Sequence, residues 1–558
     1  MLILGLISAI YLIPTIKKEY FSLEESQIQN VKDNINNKEN EISVKEKEPK
    51  KFKKSVANRP EEVKTVKEKL PERNAGENVR IAPPILQKRR GRGLSDEKEQ
   101  ELIKKGPQNE KQRAVVNAFK YSWKAYKTFA WGHDELRPLT KSSSEWFGVG
   151  LTLIDSLDTM YIMGLHDEFN EAKNWVAKEL TFDKNRDVNF FEATIRILGG
   201  LLSAYHLSKE HVFLEKATDI GDRLLGAFSS GSAIPYSDVN LKTRIGHAPR
   251  WGPDSSVSEV TTVQLEMKDL SKLTGDNKYA TAVEKISNHI LQLGKKDGLV
   301  PMFINARTGQ FRSMSTITLG ARADSYYEYL FKQWLQSNRK NEVMKNEYLQ
   351  AVEGMKKHLM RETVPNRYLY FGELLGSRTF SPKMDHLVCF LAGTFALAAH
   401  NNIGKDHLDL GKRLGETCYK MYETMPTHLS PEIAYFNQVE GATEDIIVKP
   451  ADTHNLQRPE TVESLMYLYR ITGDAKYREW GWKIFEAFEK YTKVENGYSS
   501  IDNVKNPSNV GYRNKMESFW TGETLKYLYL LFSDDVELMS IDKWVFNSEA
   551  HPLPIWND

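Results

Sequence analysis

From about residue 111 to the C-terminus, apolar residues recur every three or four positions, which is the spacing of amphipathic helices. This spacing predicts successive helical pairs over residues 145–180, 190–228, 258–294, 321–360, 384–424, 459–492 and 516–533. The last range contains one clear helix, and we expect the segment 111–129 to pair with it. The predicted fold class is therefore all-α, with minor β-hairpins near 231–257 and 297–315.

Two of the predicted connections between helices have related sequences. LTGDNKY (273–279) and ITGDAKY (471–477) each place a Gly-Asp turn between an apolar helix and a helix that carries a tyrosine. Glycine ends helices readily because it adopts the left-handed backbone conformation without a steric penalty. Weak repetition of helical pairs is typical of a closed toroid or an open solenoid.

Acidic residues lie within or at the start of many of these helical patterns. They recur at intervals of 57 to 75 residues, at Glu192, Glu259, Asp324, Asp385, Glu460 and Glu517. A closed ring has a centre at which such carboxylates can meet, so their positions favour the toroid. Converging carboxylates are the groups with which glycosidases hydrolyse a sugar linkage. The pattern therefore predicts an enzyme that acts on carbohydrate.

The N-terminal part of the chain has a different composition. Residues 2–16 form an apolar run that is shorter than the roughly 17–25 residues of a membrane-spanning helix. We expect residues 1–16 to be a signal anchor or a cleaved signal peptide, with a misplaced start of the chain as the third alternative. Residues 17–110 are rich in Lys, Glu and Asn, which predicts a disordered or loosely helical luminal stem before a folded domain at 111–558.

Charge and cysteine content exclude several classes of protein. The net charge is +2, and basic residues lie beside acidic ones, so we expect no nucleic-acid partner. The two cysteines, Cys389 and Cys418, are too few for a disulfide scaffold or a four-thiolate zinc site. In the secretory lumen they could pair, and such a bridge would contribute about 3–4 kcal/mol. Two unpaired buried thiols are the alternative.

Two motifs place a carboxylate at or near the start of a helix. FFEATIRILGGLLSAYHL (190–207) sets Glu192 and Arg196 four residues apart, on one helical face and among apolar neighbours. A structural ion pair is the alternative interpretation. In GARADSYYEYLFKQW (320–334), Asp324 precedes a tyrosine-rich helix, where an N-terminal cap is the alternative to a catalytic role.

A third motif brings two carboxylates together. In RPETVESLMYLYRITGD (458–474), Pro459 suits the first turn of a helix, so Glu460 and Glu463 are neighbours one turn apart, beside Arg458. Two nearby carboxylates repel, and one of them tends to keep its proton. Such a pair is costly for structure and useful for acid–base catalysis.

Aromatic and histidine side chains accompany the carboxylates. MESFWTGETLKYLYLLF (516–532) places Phe519 near Glu517 and Glu523, and an aromatic ring suits the apolar face of a pyranose. His386, in MDHLVCF, is on its own more typical of a buried core histidine than of a ligand-binding one. The segment VFNSEAHPLPIW near the C-terminus combines a hydroxyl, a carboxylate and a histidine in a non-helical stretch, and is a candidate plug for one end of the ring.

These motifs together resemble the class I α-1,2-mannosidases, an inverting, calcium-dependent family of glycoside hydrolases. The resemblance covers roughly residues 111–558. It rests on FFEATIRILGGLLSAYHL, GARADSYYEY, DHLVCF, RPETVESL, ESFWTGETLKY and FNSEAHPLPI, which occur in that order. The fold that it implies is an (α/α)7 barrel, in agreement with the seven helical pairs.

The resemblance also implies roles for individual residues. Glu192 is the expected general acid, delivering its proton through a water, and Glu460 the expected general base. Asp324 is the third essential carboxylate, and the division of the base role between it and Glu460 is open. The implied substrate-binding residues are Arg196, Glu259, Arg322, His386, Arg458, Glu463, Glu517, Phe519, Glu523 and Glu549.

The implied cofactor is Ca²⁺, held largely by waters and by one hydroxyl residue near the C-terminus. The family commonly has threonine at that position, where this chain has Ser548. Serine supplies the same hydroxyl and carbonyl oxygens, so calcium binding is expected to persist. Cys389 and Cys418 match the disulfide pair of the family, which supports a luminal location.

Arg322, in GARADSYYEY, looks like the arginine of the endoplasmic-reticulum branch of the family; Golgi relatives have a smaller apolar residue there. An arginine in the cleft could bind one branch of an oligosaccharide. The implied reaction removes the middle-branch α-1,2-mannose of Man9GlcNAc2 and leaves Man8GlcNAc2 isomer B. We expect a monomeric single-pass type II protein of the endoplasmic reticulum or Golgi membrane, acting on glycoproteins in quality control and degradation.

One alternative function has the same fold. A lectin-like degradation factor would bind high-mannose glycans with weak or no hydrolysis. The complete set of carboxylates and the arginine of the GARADS motif argue against it. Release of mannose from purified glycan separates the two functions.

Overall fold

The computed structural model describes residues 95–250 and 252–557, which belong to one compact unit. The expected signal anchor or signal peptide (1–16) and residues 17–94 of the expected stem lie outside the described residues. Within the described ranges, no helix has both the length and the apolar character that crossing a bilayer requires.

Helices dominate the described chain. Their bounds are α1 Asp96–Lys105, α2 Glu110–Phe129, α3 Leu151–Asp155, α4 Leu157–Ile162, α5 His166–Lys178, α6 Phe190–Glu192, α7 Gly199–Ser208, α8 His211–Leu224, α9 Val257–Thr261, α10 Gln264–Thr274, α11 Lys278–Gln292, α12 Asp324–Gln336, α13 Glu342–His358, α14 Phe390–His400, α15 His407–Glu423, α16 Glu460–Thr472, α17 Lys476–Tyr491 and α18 Leu525–Leu531. Two π-helical turns, Ala193–Leu198 and Trp520–Thr524, lead into α7 and α18.

The helices pack as seven pairs arranged in a ring. The pairs are α4 with α5, α7 with α8, α10 with α11, α12 with α13, α14 with α15, α16 with α17, and α18 with α2. The first members of the pairs also contact one another in sequence, and the turn before α18 contacts α4, which closes the ring. The predicted (α/α)7 barrel is confirmed, including the pairing of the last helix with the segment 110–129.

Burial distinguishes the inner helices from the outer ones. In α14, FLAGTFALAAH, the first nine residues are buried all round, as they are in α18 from end to end. The outer helices α15 and α17 bury one face and expose charged residues on the other. A helix that is apolar all round is stable only when it is enclosed, so the sequence itself places these helices inside the ring.

Short antiparallel hairpins join the helices. The strands are β1 Glu135–Arg137, β2 Ser142–Ser144, β3 Asp187–Asn189, β4 Asp238–Asn240, β5 Gly246–His247, β6 Asp254–Ser256, β7 Phe303–Asn305, β8 Met360–Glu362, β9 Leu369–Phe371, β10 Glu373–Leu375, β11 Thr379–Ser381, β12 Lys383–Asp385, β13 Ile433–Phe436, β14 Ile446–Ile447, β15 Lys493–Val494, β16 Gly497–Tyr498, β17 Trp544–Phe546 and β18 Pro552–Pro554. Strands β3, β6 and β12 run directly into helical turns of the inner ring, so these hairpins lie at the N-terminal ends of inner helices.

The C-terminal hairpin, β17–β18, fills the ring from within. Strand β17 contacts α12, and β18 contacts α7 and α10. The turn between the strands reaches the inner helices, where the Asn547 side chain donates to the Ile195 carbonyl at 2.9 Å. The plug expected from the apolar C-terminal sequence is therefore present.

Helix α1 lies within the segment that the sequence predicted to be a disordered or loosely helical stem. It is ordered because it packs on the barrel: the buried Glu99 carboxylate accepts from the indole of Trp544 at 2.7 Å and pairs with Lys543. Gln100 donates to the Leu207 carbonyl at 3.1 Å. Helix α1, which precedes the predicted boundary at residue 111, therefore packs with the barrel.

A disulfide joins Cys389, at the start of an inner helix, to Cys418 in its outer partner, with the Cα atoms 5.9 Å apart. Both cysteines are fully buried. The pair implied by the family resemblance is therefore present, and it links the two helices of one hairpin covalently.

Candidate active site

A cavity of about 350 Å³ opens at the N-terminal ends of the inner helices. Its walls bring together residues from α6, α9, α12, α16, the turn before α18 and the β17–β18 turn. The predicted site residues among them are Glu192, Arg196, Glu259, Arg322, Asp324, Arg458, Glu460, Glu463, Phe519, Glu523, Ser548 and Glu549. Glu192, Asp324 and Glu460, far apart in sequence, therefore face one space.

Glu192 is held at the end of a short helical turn. The Asn189 side chain caps that turn by accepting from the Glu192 N–H at 3.0 Å. The π-helical turn that follows carries Arg196, whose Nε donates to Glu192 Oε2 at 2.8 Å. The Arg196 guanidinium also pairs with Glu549 and lies 5.6 Å from the centroid of the Phe519 ring. Single π-turns are common at functional sites because they re-aim side chains within a helix.

Glu460 is the first residue of α16 and is held as a carboxylate. His386 Nδ1 donates to its Oε2 at 2.8 Å, and Arg458 Nη1 lies 3.9 Å from its Oε1. Burial raises the pKa of Glu460, but His386 and Arg458 outweigh that effect and hold the pKa below its ordinary value. His386 Nε2 in turn faces the Tyr422 hydroxyl at 2.9 Å. The arrangement gives the cavity a fixed, ionised carboxylate.

Asp324, the first residue of α12, has the opposite environment. Its Oδ1 accepts the Ser325 N–H at 2.9 Å. Burial raises the pKa of Asp324 to about 8, and repulsion from Glu328 and Glu460 adds to the effect. Two carboxyl groups of one cavity are thus in different protonation states near neutral pH, as acid–base catalysis requires.

The cavity floor is rich in carboxylates. Glu328 pairs with the buried Lys332, whose Nζ lies 3.7 Å from Glu463 Oε1. Burial raises the pKa of Glu463 to about 8, since Lys332 compensates only part of the burial and Glu328 opposes it. Burial and the nearby Glu549 raise the pKa of Glu523 well above its ordinary value. The floor therefore has three acidic groups, Glu328, Glu463 and Glu523, around one cation, Lys332.

Arg322 lies exposed at the mouth of the cavity. Its backbone is in the left-handed region, with φ at 79°, a conformation that is uncommon for a residue with a side chain. The Arg322 carbonyl accepts the Ser258 N–H at 3.0 Å, which fixes the loop. The guanidinium lies 5.6 Å from the centroid of the Phe303 ring. The loop thus places the positive charge of Arg322 at the entrance of the cavity, where it can contact a bound ligand.

A second cavity, of about 750 Å³, adjoins the first, and Glu192 and Glu259 line both. Glu259 accepts from the Asn189 side chain at 3.0 Å and forms a capping box with Ser256 at the start of α9. The remaining wall residues are mostly polar, namely Asn185, Arg186, Asp187, Asn189, Asp238, Asn240, His247 and Arg250, and Trp146, Val188 and Pro249 complete the wall. The joined cavities can accept a branched polar ligand that extends well beyond one sugar.

Comparison with a family model matches residues 118–555 to the family described as glycosyl hydrolase family 47. The chain belongs to glycosyl hydrolase family 47. The resemblance stated from the motifs is therefore confirmed, and the match covers nearly all of the barrel.

Relatives and a solved structure agree with the family. The endoplasmic reticulum mannosyl-oligosaccharide 1,2-alpha-mannosidase of Rattus norvegicus is 59% identical over 454 residues, covering 81% of this chain and 69% of the relative. The protein of that name from Homo sapiens is 58% identical, over 80% of this chain and 64% of the relative. The alpha-1,2-mannosidase from Trichoderma reesei superposes with a TM-score of 0.75 at 30% identity, over 81% of this chain and all of that one.

Two predicted residues of the family 47 site lie outside the cavity wall. His386 is behind Glu460 and reaches the cavity through that carboxylate. Glu517 faces Lys515 at 3.0 Å and Ser500 at 3.2 Å, two residues before Phe519. Substrate binding by Glu517 therefore stays a prediction that the cavity geometry does not support directly.

Sequence reasoning missed three residues around the site. Glu328 follows Asp324 by four positions, so the helical spacing could have identified it. Glu432, which pairs with Arg458, and Asp155, which contacts Arg196, come from distant segments. No local pattern marks these two, because only the closed ring brings them to their partners.

The residues near Ser548 fit a calcium ion. Ser548 lies at the cavity beside carboxylates and hydroxyls, and hard oxygen donors of this kind suit Ca²⁺. Within residues 95–557, apart from 251, no three His, Cys, Asp or Glu side chains are grouped as metal ligands. A cation here could be held through the Ser548 oxygens and through waters, and it would favour the ionised forms of the nearby carboxyl groups.

We expect Asp324→Asn and Glu460→Gln to change stability in opposite directions. Between the unfolded pKa of Asp324, about 3.9, and its folded value of about 8, the unfolded chain loses a proton that the folded protein keeps, so stability falls as pH rises. Asparagine removes that loss, and we expect a gain of about 1–3 kcal/mol at pH 8 and little change at pH 4.

For Glu460 the sign is reversed, because its pKa is lower in the folded protein than in the unfolded chain. The ionised carboxylate therefore stabilises the fold at pH values above the unfolded pKa, and this stabilisation is lost as the pH falls through the folded pKa. Glutamine should cost about 1–3 kcal/mol at pH 7, since His386 and Arg458 lose an ionised partner. Thermal unfolding of both variants in metal-free buffer measures the two effects. A lower melting temperature of Asp324→Asn at pH 8 would contradict the raised pKa.

Proposed function

We propose that this family 47 enzyme hydrolyses terminal α-1,2-linked mannose from high-mannose N-glycans, with inversion at the anomeric carbon. The observation that carries the proposal is the cavity shared by Glu192, Asp324 and Glu460, in which His386 and Arg458 hold Glu460 as a carboxylate. Inverting hydrolysis needs an acid for the leaving oxygen and a separate base for the water. The relatives named for this activity support the choice of substrate.

In the proposed mechanism, Glu192 delivers a proton, through a water, to the oxygen of the leaving sugar. Arg196 orients the Glu192 carboxyl through the 2.8 Å hydrogen bond. Glu460 accepts a proton from the nucleophilic water, which attacks the anomeric carbon from the opposite face. His386 and Arg458 hold Glu460 in the ionised form that this step needs. We therefore assign the base role to Glu460 rather than to Asp324.

Asp324 and the aromatic residue of the cavity position the sugar. A neutral Asp324 carboxyl can donate a hydrogen bond to a sugar hydroxyl, which a carboxylate cannot. Phe519 lies under the Arg196 and Arg458 guanidiniums, at 5.6 and 5.7 Å, and offers its ring to the apolar face of the pyranose. Together these contacts orient the bond that is to be cleaved.

The expected cofactor is Ca²⁺ at Ser548, which when bound would supply positive charge for gripping adjacent sugar hydroxyls and for distorting the ring. Ser548 would provide its hydroxyl and carbonyl oxygens. The Ser548 N–H donates to the Tyr329 hydroxyl at 3.3 Å, which fixes the backbone at this position. The serine is thus held in place by the barrel independently of a ligand.

We propose Man9GlcNAc2 as the substrate and Man8GlcNAc2 isomer B as the product. The exposed Arg322 at the cavity mouth and the polar second cavity are suited to hold the branches that are not cleaved. Such trimming would mark glycoproteins for quality control and degradation in the endoplasmic reticulum. A monomer, anchored in the membrane by the N-terminal segment and with a luminal catalytic domain, fits this role.

Incubation of the purified protein with Man9GlcNAc2 and calcium tests the proposal. We expect free mannose, released first as the β anomer and detected by proton NMR, with isomer B as the glycan product. Tight glycan binding without mannose release would instead support the lectin-like degradation factor. Release of the α anomer would overturn the inverting mechanism.

We expect Arg322→Leu to lose branch selectivity while keeping hydrolysis. A charge-assisted hydrogen bond contributes about 1.5–3 kcal/mol, so discrimination between branches should fall by about 10- to 100-fold. Chromatography of the Man8 isomers and of further trimmed glycans measures the change. Arg312→Leu is a matched control, because Arg312 lies over the same Phe303 ring but outside the cavity wall. An unchanged isomer pattern in Arg322→Leu would remove this arginine from branch selection.

A further inference from the structure

A chain of buried charges runs behind Glu192, away from the sugar site. Its central member is His551, in the turn between β17 and β18, which is fully buried. His551 Nδ1 lies 2.8 Å from Asp158 Oδ2, and His551 Nε2 lies 3.3 Å from Asp155 Oδ1. Both imidazole nitrogens therefore face carboxylates, and both must carry a proton to donate to them.

The two aspartates are themselves compensated. Lys526 Nζ lies 2.8 Å from Asp158 Oδ1, with both side chains completely buried. The Lys526 ammonium also donates to the Ala550 carbonyl at 2.8 Å, within the same turn as His551. Two buried acids and two buried cations are thus in contact with one another. A buried charge persists only when it is paired and hydrogen-bonded, as each of these is.

Asp155 connects this set to the catalytic cavity. Arg196 Nη1 lies 3.4 Å from Asp155 Oδ2, and the Ser518 hydroxyl donates to the same oxygen. The Ser518 oxygen in turn accepts from Arg196 at 3.2 Å. Arg196 then donates to Glu192 at 2.8 Å. A continuous path of polar contacts leads from the C-terminal turn to the carboxyl proposed as general acid.

Two glycines allow an inner helix to pass close to the His551 ring. A Cβ atom on Gly199 would lie 2.6 Å from the Asn547 amide nitrogen and 3.2 Å from the His551 ring. One on Gly200 would lie 3.0 Å from the Ile154 carbonyl and 3.4 Å from the ring. The Gly-Gly pair of the FFEATIRILGGL motif therefore allows the inner helix to approach the histidine. The same helix carries Arg196 one turn earlier.

We infer that His551 and Asp155 are positioning residues for the general acid: they hold Arg196, and through it they fix the Glu192 carboxyl at the leaving oxygen. The inference rests on the proposed function, because it needs Glu192 as the acid. A misplaced acid slows cleavage of a poor leaving group, since a correctly placed general acid contributes about 10²–10⁴ in rate. A good leaving group departs without that proton.

Substitutions of His551 can separate its two contacts. In His551→Gln the amide nitrogen occupies the place of Nε2 and can still donate to Asp155. In His551→Asn it occupies the place of Nδ1 and can donate only to Asp158. Both variants are neutral, and they differ by one methylene group and in which aspartate keeps a donor. His407→Asn, which replaces another buried histidine far from the path, is the matched control.

The experiment compares kcat/KM on α-1,2-mannobiose with kcat/KM on α-D-mannosyl fluoride, using the calcium-loaded protein. We expect His551→Asn to lose about 10²-fold on mannobiose and less than about threefold on the fluoride, with His551→Gln losing about tenfold on mannobiose. Glu192→Gln should show the pattern of His551→Asn more strongly. His407→Asn should leave the ratio of the two substrates unchanged.

Equal losses on both substrates in folded His551→Asn would overturn the inference while leaving the acid role of Glu192 intact. Equal losses in Glu192→Gln would instead overturn the acid role itself. If His551→Asn does not fold, Ser518→Ala tests the same link, because it removes the hydroxyl that bridges Asp155 and Arg196. An unchanged substrate ratio in Ser518→Ala would then count against the path.

Discussion

Glu192→Gln is expected to lower kcat on Man9GlcNAc2 by about 10²–10⁴-fold while glycan affinity changes by less than about threefold. Glutamine keeps the shape of the side chain and can still contact Arg196, but it has no proton to deliver to the leaving oxygen. The glycan is held mainly by other walls of the two cavities, including Arg322 and Phe519. Single-turnover hydrolysis together with equilibrium binding of labelled glycan measures both quantities.

A matched control for this variant is Glu517→Gln. Glu517 was predicted from the same type of motif, but it faces Lys515 and Ser500 outside the cavity wall. We expect less than a tenfold change in kcat for it. Equal losses of binding and turnover in Glu192→Gln would remove Glu192 from the acid role.

Removal of calcium is expected to abolish hydrolysis and to lower the melting temperature. A ligand that binds only the folded state stabilises it by RT ln(1 + [L]/Kd), which is about 2.7 kcal/mol at a free concentration of 100 Kd. The excess of acidic groups on the cavity floor should make the metal-free protein less stable still. Activity and thermal unfolding, measured in a chelator and again after calcium is restored, test the prediction.

Variants of Ser548 test whether the effects of calcium on activity and on the melting temperature arise from an ion bound at Ser548. Ser548→Thr keeps the hydroxyl and should bind calcium at least as tightly, whereas Ser548→Ala should weaken calcium binding by about tenfold or more through the loss of one oxygen ligand. Calorimetric titration of the metal-free protein gives the affinities. Full activity in metal-free buffer would contradict the calcium requirement.

The order of the helical pairs could be predicted from the sequence because each helix leaves a recognisable apolar pattern. Outer helices have one apolar face, and inner helices are apolar all round. The inner helices are the clearest examples: FLAGTFALAAH is too apolar to have a solvent-facing side. The interval between acidic residues correctly indicated that Glu192, Asp324 and Glu460 share one centre. The prediction that the ring is closed came from these carboxylates, which can meet only at the centre of a closed ring, and not from the sequence of any single helix.

Helix α1 shows what local composition does not reveal. Helix α1 is highly charged, and its sequence resembles the segment before it. Its order comes from contacts with Trp544 and Lys543, which are more than 400 residues away in the chain. A composition argument does not include such partners.

The sequence by itself determined the helical architecture, the family and most of the charged residues that line the cavity, because helical periodicity and ordered motifs are local properties. Only the tertiary structure decided the protonation of those residues. Asp324 and Glu460 each begin an inner helix, yet burial beside Glu328 keeps one neutral, while His386 and Arg458 keep the other ionised. The placement of His551 between two aspartates likewise depends on the C-terminal turn entering the ring. The protonation state of a buried group depends on the groups that surround it, and the closed barrel determines which groups these are.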